Sequence, residues 1–188
     1  QEYSQLGGLE PSKETIMAKY PWYYLNTYVT NTIGGTVYIV DGQQRLTTLT
    51  LVLIKLYRMA TEYGPKGLEQ WLATKLVGYA GVEASFWMNH EQHVHVLESL
   101  KNGLDFSAID TSSGITAVNM LRNYRAIDAY FDEELTTQHK LETFVYYFLC
   151  RLVLINLAVD QTDVPMVFEV INDRGVRLRP YEIIKGKL

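Results

Sequence analysis

The sequence predicts an α+β fold, mostly helical, with a small mixed β-sheet and a helical subdomain from about residue 64 to 150. Two observations carry this. Apolar residues recur at helical spacing over several long stretches, the clearest being Leu46, Leu49, Leu53, Leu56 and Ala60. Strand-like composition is confined to Tyr23–Thr32, Thr36–Val40 and Leu152–Val159. With 188 residues, 47% of them hydrophobic and 12% aromatic, the chain can bury a real core. It reads as one composite domain in three blocks: 1–63, 64–150 and 151–188.

The elements follow in order. Tyr23–Thr32 and Thr36–Val40 flank Asn31-Thr32-Ile33-Gly34-Gly35, which predicts a β-hairpin with a loose five-residue connection. The helix over Leu46–Ala60 stops at Gly64-Pro65. Helical patterns are expected over Lys66–Tyr79 and Asn89–Lys101, broken at Gly81, Asn102-Gly103 and Ser112-Ser113-Gly114. Ile115–Leu135 carries Val118, Leu121, Ile127, Tyr130 and Phe131 on a wide apolar face. Leu141–Arg151 continues helically into the strand Leu152–Val159. Asp163 then offers an N-cap with Pro165 in the first turn, and Val164, Val167, Phe168 and Ile171 make a stripe ended by Gly175.

Composition narrows the function. A net charge of −4 and a pI near 5.6 argue against a surface built wholesale to coat nucleic acid, so any DNA contact is local. The lone Cys150 sits in an apolar stretch and reads as a core residue, and one cysteine allows no disulfide within the chain. No apolar run is long enough to span a bilayer, and Gln1–Tyr20 lacks a signal-peptide layout. A cytoplasmic protein without membrane contact is expected. Both ends look like cuts from a longer protein. His90, His93 and His95 lack zincin spacing and read as a solvated helix face, and no Ser sits in a nucleophile elbow.

Asp41-Gly42-Gln43-Gln44-Arg45 carries the chemistry. A strand that turns on a glycine into a helix N-terminus leaves free backbone N–H groups and a partial positive charge, with two amides and a fixed cation beside them. That set suits phosphate. On spacing alone the segment reads first as an ordinary polar turn. Further on, residues 174–188 hold Arg174, Arg177, Arg179, Lys185 and Lys187 against Glu182, a surplus of four positive charges. This fits an anionic partner or a solvated face.

The string Val40-Asp41-Gly42-Gln43-Gln44-Arg45-Leu46-Thr47-Thr48-Leu49 resembles the signature of the ParB/sulfiredoxin-like domain in the GmrS half of GmrSD-type, modification-dependent (Type IV) restriction and phage-defence systems. A second block, Phe168-Glu169-Val170-Ile171-Asn172-Asp173-Arg174-Gly175-Val176-Arg177-Leu178 followed by Ile183-Ile184-Lys185, resembles the same family's later motif. The family's usual Pro-x-Tyr-Gln-Arg-type opening is not matched between Gln1 and Trp22.

The resemblance implies a domain that binds and hydrolyses a nucleoside triphosphate of unspecified base and regulates DNA cleavage by a separate nuclease domain. Asp41, Gly42, Gln43, Gln44, Arg45, Asn172, Arg174 and Lys185 would bind nucleotide. Asp41, Gln44 and Arg45 would be catalytic, with Mg²⁺ at Asp41. A ParB-like domain that itself nicks DNA and a non-enzymatic nucleotide sensor are the alternatives, and a homo-oligomer is open.

Overall fold

The computed structural model describes residues 10–80, 83–88 and 93–172. These residues form an α+β fold, mostly helical, with a small mixed sheet. By internal contacts the chain divides into two compact units, each assembled from two separated segments. One runs to Tyr24 and over Gln44–Val153, and the other over Leu25–Gln43 and from Leu154 onward.

The helical unit holds α1 (Lys13–Lys19), nearly all of α2 (Gln43–Tyr63), α3 (Leu68–Leu76), the hairpin β3 (Val77–Ala80) and β4 (Glu83–Phe86), α4 (Val94–Lys101), α5 (Ile115–Glu134) and α6 (Gln138–Arg151). Ser12 caps α1, its hydroxyl accepting from the Thr15 N–H, and Thr137 caps α6 by accepting from Lys140. Arg151, at the end of α6, donates to the last carbonyls of α1 at Ile16 and Met17. A basic side chain thus supplements the C-cap of α1, where the Tyr20 N–H already donates to the Ile16 carbonyl at 3.0 Å.

α2 organises this unit, because it contributes to two core clusters. Leu51 and Ile54 join Leu76, Val96, Leu97, Leu100, Met120 and Tyr124. Leu56, Met59 and Ala60 join Leu68, Leu72, Phe131, Leu141 and Val145. The stripe read from the sequence is only partly the buried face. Leu46, Leu49 and Leu53 are half-buried, whereas Leu51, Ile54 and Met59 are buried. A helix packed on two sides has no single apolar stripe to read.

Other expectations are corrected in the same unit. The helix expected over Lys66–Tyr79 ends at Leu76, where the chain turns into β3. Val77 pairs with Phe86 and Gly78 with Ser85. The Trp87 ring packs over Gly78, where any Cβ would meet it at 2.6 Å. On α5, Val118 and Tyr130 are exposed and Ala117, Met120 and Tyr124 take the buried positions. The helix expected from Asn89 begins at Val94, and residues 89–92 and Gly81 lie outside the described residues. Cys150 is half-buried rather than in the core, because the last turn of α6, from Tyr146 to Arg151, is half-buried throughout.

The second unit is built on a three-stranded sheet in the order β2–β1–β5, comprising β1 (Tyr23–Ile33), β2 (Thr36–Asp41) and β5 (Leu152–Ala158), with α7 (Val164–Asn172) after it. The β1–β2 hairpin is tighter than the sequence predicts. Ile33 pairs with Thr36, leaving a two-residue turn of Gly34 and Gly35 at φ +58° and +83°. Two consecutive glycines can both take positive φ, the requirement of a turn that matches strand twist. β1 is tied to the β5 end by Thr30 and Asn31, both buried. Thr30 Oγ1 donates to Asn156 Oδ1 at 2.9 Å, and Asn31 Nδ2 donates to the Val159 carbonyl at 2.9 Å.

Candidate functional site

The Asp41–Arg45 segment has the local backbone its sequence demands. β2 ends on Asp41, Gly42 adopts φ +89°, and α2 begins at Gln43. The helix therefore starts three residues earlier than its apolar pattern, and Gln43, Gln44 and Arg45 form its first turn. A non-glycine residue at φ +89° would be strained, so Gly42 is what lets the strand turn straight into the helix. The boundary between the two compact units falls inside the pentapeptide, after Gln43.

A β-bulge immediately precedes the turn. β1 and β2 keep one register from Ile33↔Thr36 to Thr30↔Ile39, then shift so that Val29 faces Asp41. One extra residue on β2 re-aims whatever follows it, and bulges of this kind concentrate beside functional sites. β1 carries a second irregularity at Asn26, with φ +135° and its own side chain accepting from the Thr27 N–H at 2.8 Å.

The side chains divide by exposure. Asp41 and Arg45 are half-buried, and Gln43 and Gln44 are exposed. Gln43 Nε2 donates to the Ile39 carbonyl at 2.9 Å and ties the first helical residue back to β2. The first turn of α2 holds no acidic residue, and Asp41 is the carboxylate that immediately precedes the 21-residue helix. Thr48 and Thr50 bond back to the Gln44 and Leu46 carbonyls at 2.9 Å.

Of the remaining predicted site residues, Asn172 is the last residue of α7, and its side chain lies outside the described residues, as do Arg174 and Lys185. His93 and His95 are half-buried and hydrogen-bonded rather than part of a solvated face, and His90 lies outside the described residues. His93 Nδ1 lies 2.9 Å from Ser113 Oγ, and His95 Nε2 lies 3.0 Å from the Asp110 carbonyl, pinning the start of α4 to the loop before α5. No group of three or more metal-ligating side chains occurs among the described residues.

Sequence reasoning missed the charged centre of the helical unit. Lys55, on α2, donates to Asp128 at 2.7 Å and Asp132 at 2.6 Å on α5, with only 8% of its side chain exposed. Burial alone would lower its pKa, but the hydrogen bonds and charges of the two carboxylates outweigh that and raise it. One turn on, Arg58 donates to the hydroxyl of buried Tyr124 at 3.3 Å. A lysine inside an apolar helix face is the signal that could have found this pair.

Fold and turn together define an α+β domain in which a bulged strand turns on a left-handed glycine into a long central helix. Residues 13–188 match the family of the GmrSD restriction endonuclease, N-terminal domain, and the chain belongs to it. It is thus a domain of the restriction, phage-defence class. No curated protein and no solved structure matches the chain. No helix among the described residues is long and apolar enough to cross a membrane.

Proposed function

We propose that the domain binds a nucleoside triphosphate at the Asp41–Arg45 turn, hydrolyses it, and through that cycle controls DNA cleavage by a separate nuclease domain, in the cytoplasm. The observation that carries this reading is the N-terminus of α2. It follows a bulge and a left-handed glycine, lacks any acid in its first turn, and bears exposed Gln44 and half-buried Arg45. Helix N-termini of this kind bind phosphate through backbone N–H groups and the helix dipole. The ParB-like resemblance of the motif supports the same assignment.

Arg45 neutralises a phosphate and stabilises the charge that develops as the terminal phosphoryl group leaves. Gln44 reaches phosphate oxygens or orients the attacking water, whereas Gln43, tied to Ile39, holds the turn in shape. Asp41 fits Mg²⁺, which binds through one or two carboxylates and completes its shell with water and phosphate oxygens. Bound there, the ion would supply charge neutralisation at the phosphates. The later motif residues Asn172, Arg174 and Lys185 belong to the proposal as nucleotide contacts supported by the resemblance alone.

Titration calorimetry with a non-hydrolysable triphosphate tests the reading. Arg45→Ala should weaken binding by about 1.5–3 kcal/mol, the worth of a charge-assisted contact. Equal affinity in the two proteins removes the phosphate role. Asp41→Asn should abolish divalent-dependent phosphate release while leaving some binding, because the amide keeps the size and loses the charge.

A further inference from the structure

The helical unit holds a cavity that the Asp41–Arg45 turn does not use. It is an open depression of about 500 Å³ between the start of α1, the start of α3 and one face of α6. That is the size range of small-molecule sites. Trp71 and Tyr146 form part of its wall, their ring centroids 5.5 Å apart and their planes inclined by 44°. Trp71 also packs against the second core cluster, so the ring is held in place by its neighbours. Lys13 and Lys66, both exposed, line the same space together with Glu14 and Glu142.

The lining combines features that no simple ion uses together. Two lysines disfavour an organic cation, two carboxylates disfavour a bare anion, and neither charge pair accounts for a wall of two aromatic rings. A molecule with a planar ring, a hydrogen-bond donor and a phosphate uses all three. Aromatic side chains offer every base a stacking surface, a carboxylate accepts from an exocyclic amino group, and lysine is a phosphate binder through its point charge. Glu142 is half-buried, and burial holds its carboxyl above the usual range, with His139 pulling it down and Glu10 pushing it further up. A donor beside it would relieve that cost.

We propose that this cavity binds a nucleotide unit bearing an amino-substituted base, with the base against Trp71 and Tyr146, its amino group on Glu142, and its phosphate at Lys13 and Lys66. The inference is independent of the triphosphate reading, since it uses none of the residues of the turn. The unit could be a free nucleotide or one residue of a single-stranded or unpaired DNA segment. The chemistry is shared, and the experiment separates the two.

The probe is a fluorescein-labelled six-residue oligo-dC strand, titrated with the whole chain and followed by anisotropy, with oligo-dT of the same length as comparison. Trp71→Leu should weaken oligo-dC binding about ten-fold, in line with the loss of one stacking contact. Trp71→Phe keeps a ring and should restore most of it. Glu142→Gln should erase the preference for oligo-dC over oligo-dT. Lys13→Ala with Lys66→Ala should flatten the salt dependence. Displacement by dCMP identifies a single nucleotide as sufficient, and binding of the strand alone, still dependent on Trp71, identifies the DNA segment. Arg45→Ala should leave oligo-dC binding unchanged, which separates this site from the turn. Absence of oligo-dC and dCMP binding, or wild-type affinity in both Trp71→Leu and Glu142→Gln, overturns the proposal.

Discussion

The two halves of α2 handle polar groups in opposite ways. At its start Gln43 and Gln44 are exposed, Arg45 is half-buried, and the strand before it is bulged. Three turns on, Leu51 and Ile54 are fully buried, and Lys55 is sunk among them with two carboxylates in attendance. Lys55 is enclosed by the fold, and Arg45 stands half-buried at the helix start. A polar residue enclosed by its own partners has its chemistry used up by folding. The first backbone N–H groups of a helix have no intrahelical acceptor, so a helix start beside a left-handed glycine can receive an anion from outside.

The comparison can be broken by mutation, and the largest effect belongs to the buried half. Lys55→Ala removes the shared partner of Asp128 and Asp132 and leaves a void, and it should cost about 3 kcal/mol in urea denaturation. Asp132, with 60% of its side chain exposed, can rehydrate and keeps the loss from being greater. Arg45→Ala should show the reverse pattern. Its stability should fall by less than about 1 kcal/mol while triphosphate affinity falls by the larger amount given above. If Arg45→Ala unfolds the domain as readily as Lys55→Ala, the start of α2 is architectural and the contrast fails.

Gly42→Ala tests the turn itself. A Cβ at φ +89° should cost about 1–2 kcal/mol of stability, measured by the shift in denaturation midpoint. The volume-matched Lys55→Met separates the void from the charge. It fills the space but still leaves Asp128 and Asp132 without their cation, so a loss of about 1–2 kcal/mol at pH 7 is expected, less than for Lys55→Ala. This variant also carries a pH signature. The folded-state pKa of Lys55 is raised, so its contribution is fully present below the ordinary lysine value and is lost as pH rises through the folded value. The gap between wild type and Lys55→Met should therefore narrow in alkaline solution, above about pH 10, and a gap that stays constant there would remove the ion pair from the account.

Much of this was legible in the chain. Local rules sufficed where one residue type dictates one backbone. Gly42 marked the strand-to-helix turn, Thr36–Val40 and Leu152–Val159 had strand composition and became β2 and β5 to within one residue, and α5 and α6 showed helical spacing. The motif around Asp41–Arg45 led to the family through resemblance, and the match over residues 13–188 shows it.

Tertiary structure decided what depends on partners remote in sequence. β3 formed because Val77 and Gly78 found Phe86 and Ser85, which overrode a helical pattern running to Tyr79. The bulge at Val29/Thr30 arises from registering two strands, which neither strand encodes alone. Lys55 and Asp128 stand 73 residues apart, and nothing short of packing α2 on α5 turns an isolated charge into a satisfied one. The sequence by itself determined where the backbone turns, through the steric limits of glycine and the periodicity of apolar residues. Packing decided which polar groups would be enclosed, because that depends on desolvation by neighbours far along the chain.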